Sequence, residues 1–125
     1  PASLPPLEMA NEIRKKIRKV GFDWPEVQGV FDKVQEELAE VKTALLKPDD
    51  IQEDLEMELG DLLFAAVNLC RYLGCNPSVA LHRSNQKMRR RFNALYQRAS
   101  AEGIALSQEN LASMDRLWEA IKEEE

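Results

Sequence analysis

Apolar residues recur at steps of three and four through two long segments of the chain. One carries Val27, Val30, Val34, Leu38, Val41 and Leu45, the other Leu55, Leu59, Leu62, Ala66, Leu69 and Leu73. That period winds each set into one stripe of an amphipathic helix, and no segment shows the strict alternation of a strand. Punctuation by Gly, Pro and Asp falls at Gly21 to Pro25, Lys47 to Asp50, Gly74 to Ser78 and Gly103 to Ser107. These breaks predict five helices. The first runs from Leu7 to Val20 and stops at Gly21; the second opens near Pro25 and reaches Leu46. The third, capped by Asp49 or Asp50, continues to Leu73. The fourth starts at Asn76-Pro77 and ends near Glu102, and Ser107 caps a last helix through Lys122. The short link between the second and third helices makes them antiparallel neighbours. The fold class expected is all-α, a four-to-five-helix bundle.

Composition narrows this to one domain over residues 1–125, with residues 1–6 and 123–125 as flexible ends. The 125 residues include 17 Lys and Arg against 22 Asp and Glu, for a formal charge of -5. An acidic chain of this kind argues against nucleic-acid or anionic-membrane coating, so any phosphate site must be local. The longest apolar stretch, Leu62 to Cys70, is interrupted by Asn68 and falls far below the roughly 18 residues of a membrane span. Cys70 and Cys75 lack partners at metal-ligand spacing and read as unpaired thiols of a cytoplasmic protein. His82 is the sole histidine, and Val79 stands where a di-iron Glu-x-x-His motif would need its glutamate.

Candidate chemistry lies at the edges of the two stripes. At about 100° per residue, Glu37 sits about 60° from the centre of its stripe and Glu40 about 120° on the same side. Glu58 and Asp61 repeat those offsets on the third helix. Four carboxylates on two adjacent helices repel one another unless compensated, which invites a divalent cation; hard oxygen ligands favour Mg²⁺, with Mn²⁺ as a substitute. Gly60, inside the third helix, costs about 1 kcal/mol relative to Ala and marks a close approach of a ligand or a neighbouring helix. The fourth helix supplies opposite charge: Lys87 and Arg91 share a face at i, i+4 and suit phosphate oxygens. Trp118 and Lys122 make a second such pair on the last helix.

These residues together resemble the MazG family of all-α nucleoside triphosphate pyrophosphohydrolases. The segment KVGFDWPEV, Lys19 to Val27, is similar to the family's entry into its second helix. QEELAEV supplies E-E-x-x-E as Glu36, Glu37 and Glu40, and ELGDLLFAAVNL supplies E-x-x-D as Glu58 and Asp61. NQKMRRRF resembles the family's basic helix and LWEAIK its closing helix. Met57 departs from the pattern, since many members carry an acidic residue there.

The resemblance implies Mg²⁺-dependent hydrolysis of a nucleoside triphosphate to monophosphate and pyrophosphate, in a homodimer. It implies metal ligation by Glu37, Glu40, Glu58 and Asp61, and a general base among Glu36, Glu37 and Glu40. Lys87 and Arg91 would bind the triphosphate, and Trp118 and Lys122 would contribute to the nucleotide pocket. The competing reading of the same charges is a non-catalytic helical dimerisation module, its acidic stripe and basic helix pairing across subunits.

Overall fold

The computed structural model describes residues 3–47 and 52–125, with the side chains of residues 52 and 53 left aside. Every regular element among the described residues is helical: α1 Pro6–Lys19, α2 Val27–Leu45, α3 Gln52–Tyr72, α4 Pro77–Ala101 and α5 Leu111–Glu123. The expected all-α class and the five helices are therefore present. The predicted caps Asp49 and Asp50 lie outside the described residues.

The helix boundaries show local chemistry at work. Pro6 stands in the first turn of α1, where a missing N–H costs nothing. Gly21, Gly74 and Gly103 take φ of 84°, 79° and 70°, the left-handed stops expected from their positions after α1, α3 and α4. At α5 the outcome differs from expectation. Ser107 Oγ accepts from the Glu109 N–H at 3.2 Å, but it caps a single 3-10 turn, Gln108–Asn110, and α5 proper begins at Leu111. The second helix likewise begins at Val27, because Glu26 keeps an extended backbone.

The chain divides into two compact units, residues 1–80 and 81–125. In the first, α3 packs against both α1 and α2. Cross-chain partners fix the direction of α2 and α3. The Tyr72 hydroxyl donates to the carbonyl of Trp24 at 3.1 Å, while Glu37 lies beside Glu58 and Asp61. Later residues on one side meet earlier residues on the other, so the two helices run antiparallel as expected. Burial corrects the stripes in detail. Val30 is fully enclosed, but Leu38 and Leu45 on α2, Leu59 on α3 and Leu73 just past its end are exposed. On α3 the buried positions are Ala65, Val67 and Asn68, so the stripe read from Leu55 is displaced around the helix.

In the second unit the buried apolar positions are Ala99 on α4 and Leu117 and Ile121 on α5. Ion pairs tie the two helices: Arg116 Nη2 to Glu102 Oε1 at 3.2 Å, Arg98 to Glu124, and Arg91 Nη2 to Glu125 Oε1 at 2.6 Å. Two of the three residues expected to form a frayed acidic tail thus hold arginine partners. Cys70 and Cys75 are free thiols, as expected.

Candidate active site

Antiparallel packing of α2 on α3 gathers three carboxylates from residues far apart in sequence. One oxygen each of Glu37, Glu58 and Asp61 lies within 4.8 Å of the others. Two oxygens on opposite sides of a divalent cation stand about 4 Å apart around Mg²⁺ and about 5 Å around Ca²⁺. The donor set is all-carboxylate, hard and partly open to solvent, so these residues fit a hard divalent ion. Glu40, expected as a fourth ligand, is exposed on α2 and lies outside this group. On α2 the offset of about 60° leaves Glu37 at the packed edge while Glu40 faces water; on α3 both offsets, Glu58 and the exposed Asp61, reach the cluster.

Lys33 also meets this edge. Its ammonium is 3.1 Å from Glu37 Oε1 and 3.3 Å from Glu36 Oε2. Hydrogen bonds to Glu37 and then Glu36 raise the Lys33 pKa, keeping the ammonium charged at neutral pH. Glu36 is exposed and bound to Lys33 alone among the described residues. Lys33 went unmarked in the sequence reading, although its i, i+3 and i, i+4 spacing to the two glutamates announces the pairs.

A cavity of about 140 Å³ opens beside the cluster. Glu37 and Asp61 form part of its wall; Trp24, Phe64 and the buried Asn68 form another. Trp24 is seated by Gly29, where a Cβ would collide with the indole Cδ1, and the Arg14 guanidinium lies 5.2 Å from the ring centre. Gly60, read as the close approach, has open space where its Cβ would be. Gly29 is the glycine that serves that purpose.

Behind the cavity lies a polar network absent from the sequence reading. Asn68 Oδ1 accepts from Arg14 Nε at 2.8 Å and from Arg71 Nη2 at 2.7 Å. Asp23 accepts from Arg71 through both carboxylate oxygens, and from Arg14 Nη2 at 3.3 Å. Burial pushes the Asp23 pKa up, but hydrogen bonds from Arg71 and the Trp24 N–H, with the charges of Arg71 and Arg14, outweigh it and hold the carboxyl below its ordinary value. Arg14 is pulled below its usual value by burial and by the like charge of Arg71. The only signal in the sequence was Asn68 itself, a polar break in an apolar run.

The remaining expected residues belong to the second unit. Lys87 is exposed on α4. Arg91 Nε and Nη2 both donate to Glu125, and its guanidinium lies 6.0 Å from the centre of the Trp118 ring. Hydrogen bonding to Glu125 raises the Arg91 pKa and lowers that of Glu125. Lys122 turns to Glu119, 3.5 Å away. The structure thus brings Arg91 and Trp118 together, with Lys122 engaged by its own helix.

Residues 25–96 match the model of the MazG nucleotide pyrophosphohydrolase domain. The chain belongs to the MazG family. It is 41% identical over 125 residues to the nucleoside triphosphate pyrophosphohydrolase of Escherichia coli K12, covering all of this chain and 48% of that protein. It is 39% identical over 119 residues to the nucleoside triphosphate pyrophosphohydrolase/pyrophosphatase MazG of Thermotoga maritima, covering 95% of this chain and 45% of the relative. The chain therefore spans about half the length of the curated relatives it matches. A 74-residue match, 42% identical, joins it to the uncharacterized protein YabN of Bacillus subtilis over 59% of this chain and 15% of that protein. The MazG match contains the carboxylate cluster together with Glu36, Glu40, Lys87 and Arg91; Trp118 and Lys122 lie beyond it.

Proposed function

We propose that the chain, acting as a single domain over residues 1–125, hydrolyses nucleoside triphosphates to monophosphate and pyrophosphate with Mg²⁺, which Mn²⁺ can replace. The convergence of Glu37, Glu58 and Asp61 in a MazG-family chain carries this reading. These three carboxylates hold the ion, and Glu40, one turn beyond Glu37, completes the set by a change of rotamer. The ion, when bound, supplies polarisation of phosphate oxygens and activation of water.

The chain's own groups do the rest. Among Glu36, Glu37 and Glu40, one accepts the proton of the water that attacks the α-phosphorus. Glu36 stands next to a metal-binding residue, and its carboxylate is oriented by the Lys33 ammonium 3.3 Å away. Lys87 and Arg91 neutralise the departing pyrophosphate, and Trp118 and Lys122 contact the nucleotide. For Arg91 this means exchanging Glu125 for phosphate oxygens.

The working assembly is a homodimer in the cytoplasm. Support for dimerisation comes from Leu38 on α2 and Met57 and Leu63 on α3, which leave large apolar surface uncovered within the chain. No described helix is long and apolar enough to cross a membrane.

Phosphorus NMR with a panel of ribo- and deoxyribonucleoside triphosphates, with Mg²⁺ and with EDTA, tests the reaction. Metal-dependent monophosphate and pyrophosphate are expected. Diphosphate and orthophosphate would put attack at the γ-phosphorus and overturn the assignment, as would no turnover across the panel.

A further inference from the structure

The largest cavity described in the first unit, about 640 Å³, lies at the C-terminal ends of α1 and α3. It shares only Trp24 with the cavity beside the carboxylate cluster. Its wall carries four cations, Lys15, Arg18, Lys19 and Arg71, and one carboxylate, Asp23. Trp24 and Tyr72 supply flat apolar surface.

The charges do not cancel. Asp23 is already engaged by Arg71 through both oxygens and by Arg14, with Arg18 Nε a distant 3.9 Å away. Lys15 reaches Glu12 at 3.4 Å, and Arg18 is 70% exposed. The carbonyl ends of α1 and α3 contribute about half a negative charge each. Lys15, Arg18, Lys19 and Arg71, with Arg14 sharing Asp23, stand against Asp23, Glu12 and those two helix ends, which leaves roughly two positive charges in excess. Basic residues at a helix end complement its dipole, but complementing two half charges does not require this many. Arg71 cannot swing away to water: its side chain is 7% exposed and is clamped by Asp23 and Asn68. A buried, clamped guanidinium at the base with exposed cations at the rim is an arrangement suited to a compact polyanion.

We propose that this cleft is a second anion site, separate from the carboxylate cluster, and that it binds a diphosphate group. Arg71 orients the group, while Lys15, Arg18 and Lys19 close over its oxygens. The diphosphate is either free pyrophosphate or the terminal part of a nucleotide, whose base would lie against Trp24 or Tyr72. The inference does not depend on the reaction proposed above, since it uses none of the carboxylate ligands and none of the residues of the second unit.

The test uses the full chain labelled with ¹⁵N in EDTA, so that no metal bridges phosphate to the carboxylates. Inorganic pyrophosphate is titrated at constant ionic strength while the indole N–H of Trp24 is followed, assigned by comparison with Trp118→Phe. A saturable shift is expected. Binding should weaken at least tenfold in the Arg18→Gln/Lys19→Gln double variant, whose exposed positions leave the fold intact, and should be unchanged in Lys87→Gln. No saturable shift up to millimolar pyrophosphate, or equal affinity in the double variant, overturns the site. Repeating the titration with a nucleoside diphosphate separates the two sources. Tighter binding than pyrophosphate, still lost in the double variant, assigns the site to a nucleotide; equal or weaker binding assigns it to the free anion.

Discussion

Arg71 holds Asp23 with both arms of its guanidinium: Nη1 donates to Oδ2 at 3.0 Å and Nη2 to Oδ1 at 2.9 Å, across 48 residues of sequence. The same carboxylate accepts from Arg14 and from the backbone N–H of Trp24. One side chain therefore joins α1, the turn before α2 and the end of α3, and it is the only acid facing two buried arginines among the described partners.

Asp23→Asn should accordingly destabilise the fold by about 3 kcal/mol, because it leaves two guanidiniums facing each other without a counter-charge. Urea unfolding followed by circular dichroism reads this as a lower midpoint with an unchanged slope. A midpoint equal to wild type would show that the network contributes nothing to folding.

The same pair sets an acid dependence. The folded-state pKa of Asp23 is held below its ordinary value, so its stabilising contribution is complete above the unfolded carboxyl pKa of about 3.9 and is lost as pH falls from there through the folded value. Thermal midpoints of wild type and Asp23→Asn measured between neutral pH and pH 2 should converge at the acid end. A constant gap across that range would exclude Asp23 as the titrating group.

Metal dependence should follow the cluster. Mg²⁺ is expected to raise the melting temperature of the wild-type chain by relieving carboxylate repulsion and by mass action. Asp61→Asn and Glu58→Gln should remove that rise and lower turnover by at least about 100-fold while helical content is retained. Glu40→Gln, at a position outside the cluster, should weaken the Mg²⁺ effect without abolishing it. Full activity in Asp61→Asn would end the assignment of a metal to these residues.

Two glycines should respond in opposite directions. Gly29→Ala forces the Trp24 ring aside and should lower stability and shift the tryptophan emission. Gly60→Ala meets open space within the chain and should stabilise α3 by about 0.8 kcal/mol. Denaturant midpoints distinguish them. Destabilisation by Gly60→Ala would instead mean that a partner subunit packs on that face.

Arg91 is expected to trade Glu125 for substrate phosphate. Glu125→Gln should therefore lower KM about two- to fivefold with little change in kcat, since the pair is exposed and weak in water. A KM that does not move, or rises, would take Arg91 out of triphosphate binding.

Much of the helical framework was legible because it is local. The period of three and four, Pro77 at a helix start, and glycines with positive φ at 21, 74 and 103 act within a turn or two of chain. The departure at Ser107 is also local: its side chain caps a turn, and whether that turn is 3-10 or α depends on how the next residues pack.

What the linear order determined about this protein is an all-α chain with acidic pairs at Glu37 and Glu40 and at Glu58 and Asp61, and a basic pair at Lys87 and Arg91. Periodicity places such residues on helix faces but does not say which face meets which. Only the tertiary structure decided that Glu37 joins Glu58 and Asp61 while Glu40 points to water, and that Lys33 stands against the first of them. Only there does Gly29, not Gly60, take the close approach of a neighbour. The Arg14, Asp23, Asn68 and Arg71 network could not be read along the chain, because its members sit up to 57 positions apart and Asn68 alone stands out from its surroundings. Burial makes the difference: a carboxylate or amide withdrawn from water must find its partners in the protein, and the packing of α1 and α2 on α3 selects them.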